Sequence, residues 1–196
     1  MKFKSDVDID FANREDVIKH LRVTPAGILR DDGTGLVKHN TGVYATKIPI
    51  DPFTGCASLD HREAEDRGYI KLDFLNVSLY QRVRDEAHLI ELMSTAPDWT
   101  KLKDRAFFEK LIHIGSHYDT MLKMPEPVDS IVRMAMFLAV IRPAKRHLIG
   151  KPWGEVAKTI WDKPEDGSYY FKKAHAISYA HLVVVNINLD LTDQCN

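Results

Sequence analysis

Residues 6 to 11 read Asp-Val-Asp-Ile-Asp-Phe, and this strict alternation of charged and apolar side chains constrains the fold more than any other stretch of the chain. A period of two is the signature of a half-buried strand, with Val7, Ile9 and Phe11 on one face and Asp6, Asp8 and Asp10 on the other. Side chains at i, i+2 and i+4 stand roughly 6–7 Å apart, so three carboxylates line up in a row. Like charges at that spacing repel and need a cation or a basic partner. Magnesium and similar hard ions take such oxygen ligands. The alternative is a solvated acidic face on an edge strand, which guards against aggregation. An EF-hand is excluded, because Phe11 and Val17 stand where its Gly and closing Glu belong.

The rest of the chain divides by pattern. Asn13 to Leu21 suits a short helix capped by Asn13. Residues 23–42, rich in Gly, Thr and Asp, suggest turns or a hairpin. Further strands are expected at Val43 to Ile50 and Tyr69 to Leu75. Helices are expected at 78–93, 103–113, 128–141 and 154–162, while 175–191 begins helix-like but runs into Val183-Val184-Val185. A strand-rich first third before a helical remainder predicts an α+β fold with a small mixed or antiparallel sheet. At 196 residues a single domain is expected, with 1–95 as its sheet part and 96–196 as its helical part.

Composition narrows the function classes. With 27 basic and 28 acidic residues the net charge is −1, so any attraction to nucleic acid must come from a local patch. Cys56 and Cys195 suggest neither a disulfide framework nor a metal motif, which favours a reducing cytoplasm. The longest apolar run, Ile131 to Ile141, contains Arg133 and is too short to span a bilayer, so no membrane partner is expected. No Walker loop, Gly-x-Ser-x-Gly elbow or Cys-His nucleophile pair is present.

Asp73 sits alone among apolar residues in the 69–75 strand, with Lys71 on the same face. A half-buried Asp needs a partner: a metal shared with Asp6 and Asp8, or a salt bridge to a nearby Lys or Arg. Arg142, Lys145, Arg146 and Lys151 cluster in a Pro- and Gly-bounded loop, open to phosphate or simply solvated. Lys172 and Lys173, beside Tyr169, Tyr170 and Phe171, suit strand binding or leave those rings to the core. His113 and His117 have the i, i+4 spacing of a zinc pair, but no Glu accompanies them and Gly115-Ser116 weakens the helix.

Several of these segments carry a family resemblance. Ser5-Asp6-Val7-Asp8-Ile9-Asp10-Phe11, followed by Arg14 and Asp16-Val17-Ile18, resembles the first aspartate strand of bacterial DNA polymerase III alpha subunits. Gly68-Tyr69-Ile70-Lys71-Leu72-Asp73-Phe74-Leu75 is similar to that family's strand bearing the third catalytic Asp. Shorter matches fall in the same order at Lys38 to Val43, at Ile141-Arg142-Pro143 and at Tyr170 to Tyr179. Asn76 and Ala144 stand where the family has Gly, and no Gly-Arg-Gly-Ser-like segment precedes the first strand.

The resemblance implies a palm-like, nucleotidyltransferase-like sheet followed by a fingers-like helical half, shortened as in a phage or bacterial gene. It implies two-metal nucleotidyl transfer to a DNA 3′ end, with Asp6, Asp8 and Asp73 as catalytic metal ligands for Mg²⁺ or Mn²⁺ and Asp10 as a helper. Arg142, Lys145, Arg146, Lys173, His175 and Lys71 would then meet nucleotide or phosphate. DNA and deoxynucleotides are the implied partners. The rival expectations are an inactive relative that binds DNA, a nucleotide or a replisome component, or one piece of a split polymerase.

Overall fold

The computed structural model describes residues 7–30 and 32–193. Asp6, the first residue of the expected metal trio, lies outside them. The chain divides into two compact units, Met1–Arg82 and Val83–Asn196.

The first unit is a four-stranded mixed sheet with short helices. It comprises β1 (Val7–Phe11), α1 (Arg14–His20), β2 (Thr24–Leu29), β3 (Leu36–Tyr44), α2 (His61–Asp66) and β4 (Leu72–Asn76), in the strand order β1-β4-β3-β2. β1 and β4 run parallel, with Asp8 opposite Asp73 and Phe11 opposite Asn76. β4 meets β3 antiparallel, and β3 turns back on β2 as the hairpin expected of the Gly- and Thr-rich stretch. On the face opposite the carboxylates, Phe11 and Phe74 meet edge to face at 4.9 Å. Asn13 caps α1, its side chain accepting from the Glu15 and Asp16 amides. Asn76 accepts from the Arg14 amide at 2.7 Å and so ties the start of α1 to the end of β4.

Several boundaries differ from expectation: the helix expected at 103–113 shortens to Arg105–Phe108, and the strand expected at Tyr69 to Leu75 runs from Leu72 to Asn76. The strand placed at Val43 to Ile50 is the end of β3, which began at Leu36 and stops at Tyr44. Beyond it Pro49 has no N–H to give a ladder, and Ile48 instead drops into a small core with Ala26, Tyr44, Ala57 and Ala64. The helix placed at 78–93 is a 3-10 turn, Ser78–Arg82, and then α3 (Glu86–Ser94). Asp85 starts α3 by accepting from the His88 amide at 2.8 Å, a cap that the apolar period alone does not reveal.

The second unit is helical. Besides α3 it contains α4 (Arg105–Phe108), α5 (Tyr118–Met121), α6 (Ile131–Val140), α7 (Trp153–Thr159) and α8 (Lys173–Asp193). α6 and α8 pack on each other at its centre. α6 is buried from Met134 onward, and α8 is buried on every side from Leu182 to Leu189. A helix apolar all round belongs inside a core, which is why Val183-Val184-Val185 stays helical despite its β preference. Two asparagines interrupt that apolar stretch. Asn186 accepts from the Ile112 amide at 2.9 Å, and Asn188 donates to the Leu92 and Thr95 carbonyls at 2.8 and 3.0 Å. No helix among the described residues is long and apolar enough to cross a membrane.

Asn188 is 6 % exposed, so removing its amide strands two carbonyls at the end of α3. Asn188→Ala is expected to lower unfolding free energy by about 1–3 kcal/mol in chemical denaturation. A change within experimental error would show that those carbonyls find water.

Candidate metal and nucleotide site

The register of β1 on β4 sets Asp8 beside Asp73, and in neighbouring parallel strands paired residues project from the same face. Asp10, two residues on, shares that face. Desolvation, then the negative charge of Asp8, pushes the Asp10 carboxyl above the ordinary carboxylate range. Among the described residues no group of three or more His, Cys, Asp or Glu is arranged to hold a metal ion. What they supply is a pair of in-register carboxylates with a third on the same face, an oxygen donor set of the kind hard divalent ions prefer.

Asp73 is the more enclosed of the pair, and its two oxygens have different partners. Oδ1 accepts from the Thr41 hydroxyl at 2.7 Å. Oδ2 is ion-paired with the ammonium of Lys71, whose side chain is 21 % exposed against 13 % for Asp73. His39 comes within 3.9 Å of Oδ1 through Nδ1, but Nδ1 already accepts from the amides of Gly42 (2.9 Å) and Thr41 (3.2 Å). The ring proton therefore sits on Nε2 and the imidazole is neutral. Burial first, and then the Lys71 charge, hold its pKa below the usual histidine value. A Cβ on Gly42 would meet Lys71 Cδ at 2.8 Å and His39 Nδ1 at 3.1 Å, so the missing side chain makes room for both.

Three neighbours of this network were not singled out from sequence as site residues: Thr41, His39 and Gly42. Their signal was the Lys38 to Val43 turn, whose match came without a role for any side chain. His39 also borders a cavity of about 550 Å³ on the β2–β3 hairpin, lined by Ile28, Arg30, Val37, Lys38 and Asn40 among others. Arg14 is buried, with Nε and Nη2 lacking hydrogen-bond partners and Nη1 3.2 Å from Glu15.

The remaining expected phosphate contacts belong to the second unit. The Arg142 guanidinium lies over the Phe171 ring, 3.9 Å from its centroid. Phe171 stacks on Tyr179 at 5.5 Å, and His113 meets Tyr179 edge-on at 4.4 Å. Arg142 Nε is buried without a hydrogen-bond partner. Arg146 is exposed, with Nε 3.4 Å from the Ile141 carbonyl. Lys145 is turned inward instead: it is 5 % exposed and its ammonium donates to the Thr159 carbonyl at 2.6 Å. That bond caps main chain at the end of α7 and takes Lys145 out of reach of a phosphate. Lys173 is exposed at the first position of α8, and His175 is half-buried two residues on.

His113 and His117 do not share a helical face, because α4 has ended and His113 adopts φ +65° ahead of a 3-10 turn at Gly115–His117. Desolvation, then Arg142, lowers the His113 pKa to about 4. The same two causes, with Arg146 added, lower that of His117.

The unfolded chain therefore takes a proton on His113 near the ordinary histidine value of 6.5, while the folded chain resists until about 4. Stability from this residue is complete above the unfolded pKa and is lost as the pH falls toward the folded one. The melting temperature should drop across that window. In His113→Asn, which tolerates the left-handed backbone and does not titrate, it should drop less steeply. Equal slopes would remove His113 from the account. No family model, curated protein or solved structure matches the chain, so the functional reading rests on these residues themselves.

Proposed function

We propose that the chain is a nucleotidyl transferase of the polymerase III alpha kind, with the first unit as a palm-like sheet and the second as its fingers-like half. The observation that carries the reading is the alignment of Asp8 with Asp73 on one face of adjacent parallel strands. Asp8 and Asp73 would hold Mg²⁺ or Mn²⁺, with Asp6 as the third ligand and Asp10 in support. An ion held there would supply Lewis acidity, favouring attack of a 3′-hydroxyl on the α-phosphate and neutralising charge on the leaving pyrophosphate. Arg142, half-buried in the second unit with its guanidinium over Phe171, is the cation that the resemblance would turn to phosphate. DNA and deoxynucleotides are the substrates this chemistry requires.

A second reading has an observation of its own. Lys71 already neutralises Asp73, as in a protein that keeps the fold and binds DNA or nucleotide without catalysis.

Titration with Mn²⁺ or Mg²⁺ in a thermal-shift assay should stabilise the protein, by about 2.7 kcal/mol at a hundredfold excess over Kd. Asp8→Asn and Asp73→Asn should abolish the effect, and the wild type should extend a primed DNA template. Stabilisation without extension selects the binding reading. The absence of any ion-dependent shift would end the metal assignment.

A further inference from the structure

We infer that Thr41 is the positioning residue for Asp73, anchoring Oδ1 so that Oδ2 is the exchangeable oxygen, which passes from the Lys71 ammonium to an incoming divalent cation. The inference rests on the metal reading above and adds a division of labour within it.

The anchor is built in stages. Gly42 pairs with Asp73 across the β3–β4 ladder, which brings the end of β3 alongside the carboxylate. His39 Nδ1 accepts the amides of both Thr41 and Gly42, closing a tight turn that fixes the Thr41 backbone. A hydroxyl has one proton to give, and this one goes to Asp73 Oδ1 at 2.7 Å. Rotation of the carboxylate would break that bond, so the direction of Oδ2 is set by residues outside β4.

Oδ2 meets a different kind of partner. Lys71 runs over Gly42, where any Cβ would collide with its chain, and delivers an ammonium on a flexible four-carbon stem. Its side chain is 21 % exposed, so the head can swing into water. The ammonium is a single charge on one carboxylate. A divalent ion carries twice the charge and has Asp8 in register as a second ligand. The ammonium thus keeps the half-buried Asp73 neutralised until the ion arrives, and is then free for an anionic phosphate.

The test is Mn²⁺ binding to the full chain, followed by the electron paramagnetic resonance of free Mn²⁺, with melting curves in parallel. Thr41→Val keeps the shape of the side chain but removes the donor, and should weaken binding about tenfold or more. Thr41→Ser keeps the donor and should retain wild-type affinity. Lys71→Met removes the competitor: it should bind Mn²⁺ more tightly than the wild type, melt lower without the ion, and regain the loss when the ion is added. Wild-type affinity in Thr41→Val, or no tightening in Lys71→Met, overturns the inference while leaving the metal assignment intact. No Mn²⁺ binding by the wild type defeats the metal assignment itself, and this inference with it.

Discussion

Two carboxylates held side by side on neighbouring strands repel each other, and the first unit is organised around that repulsion. Asp8 and Asp73 are paired by the register of β1 on β4, so neither can turn to the opposite face without shifting the whole strand. For Asp73, compensation comes from Lys71 just before β4, a hydroxyl from β3, and a neutral imidazole that secures the hydroxyl's turn. The Asp10 carboxyl is pushed up by burial first and then by the charge of Asp8.

The second unit solves a different problem. Its centre is apolar, and its cations are held in different ways: Lys145 on main chain, Arg142 over the Phe171 ring, and Arg133 by the carboxylates of Glu126 and Asp129. Two cations three residues apart in sequence thus meet different surroundings, a ring face for Arg142 and a main-chain carbonyl for Lys145.

Much of the architecture was legible in the sequence where one period dominated. The alternation at 7–11 gave β1, and the Asn13 cap announced α1. The second aspartate strand was found because Phe74 alternates with charged neighbours, although its first residues fall outside β4. What the pattern could not reveal depended on partners distant in sequence. Val183 to Val185 favours a strand until its burial in the core is known. The inward turn of Lys145 requires the end of α7, and the Thr41 anchor requires β3 to lie against β4. Clustered charge in a loop looks like a binding patch from sequence because nothing local shows which head groups have main-chain partners.

The asparagines of α8 carry a consequence for assembly. Asn186 and Asn188 reach main chain elsewhere in the unit, at the Ile112 amide and at the carbonyls of Leu92 and Thr95, while the Asn186 amide donates to Asp190 on its own helix. Sliding the helix by one residue would break the three main-chain bonds, so an otherwise slippery valine and leucine surface acquires a single resting position. The two side chains behave as a latch that engages only where those counterparts lie in register.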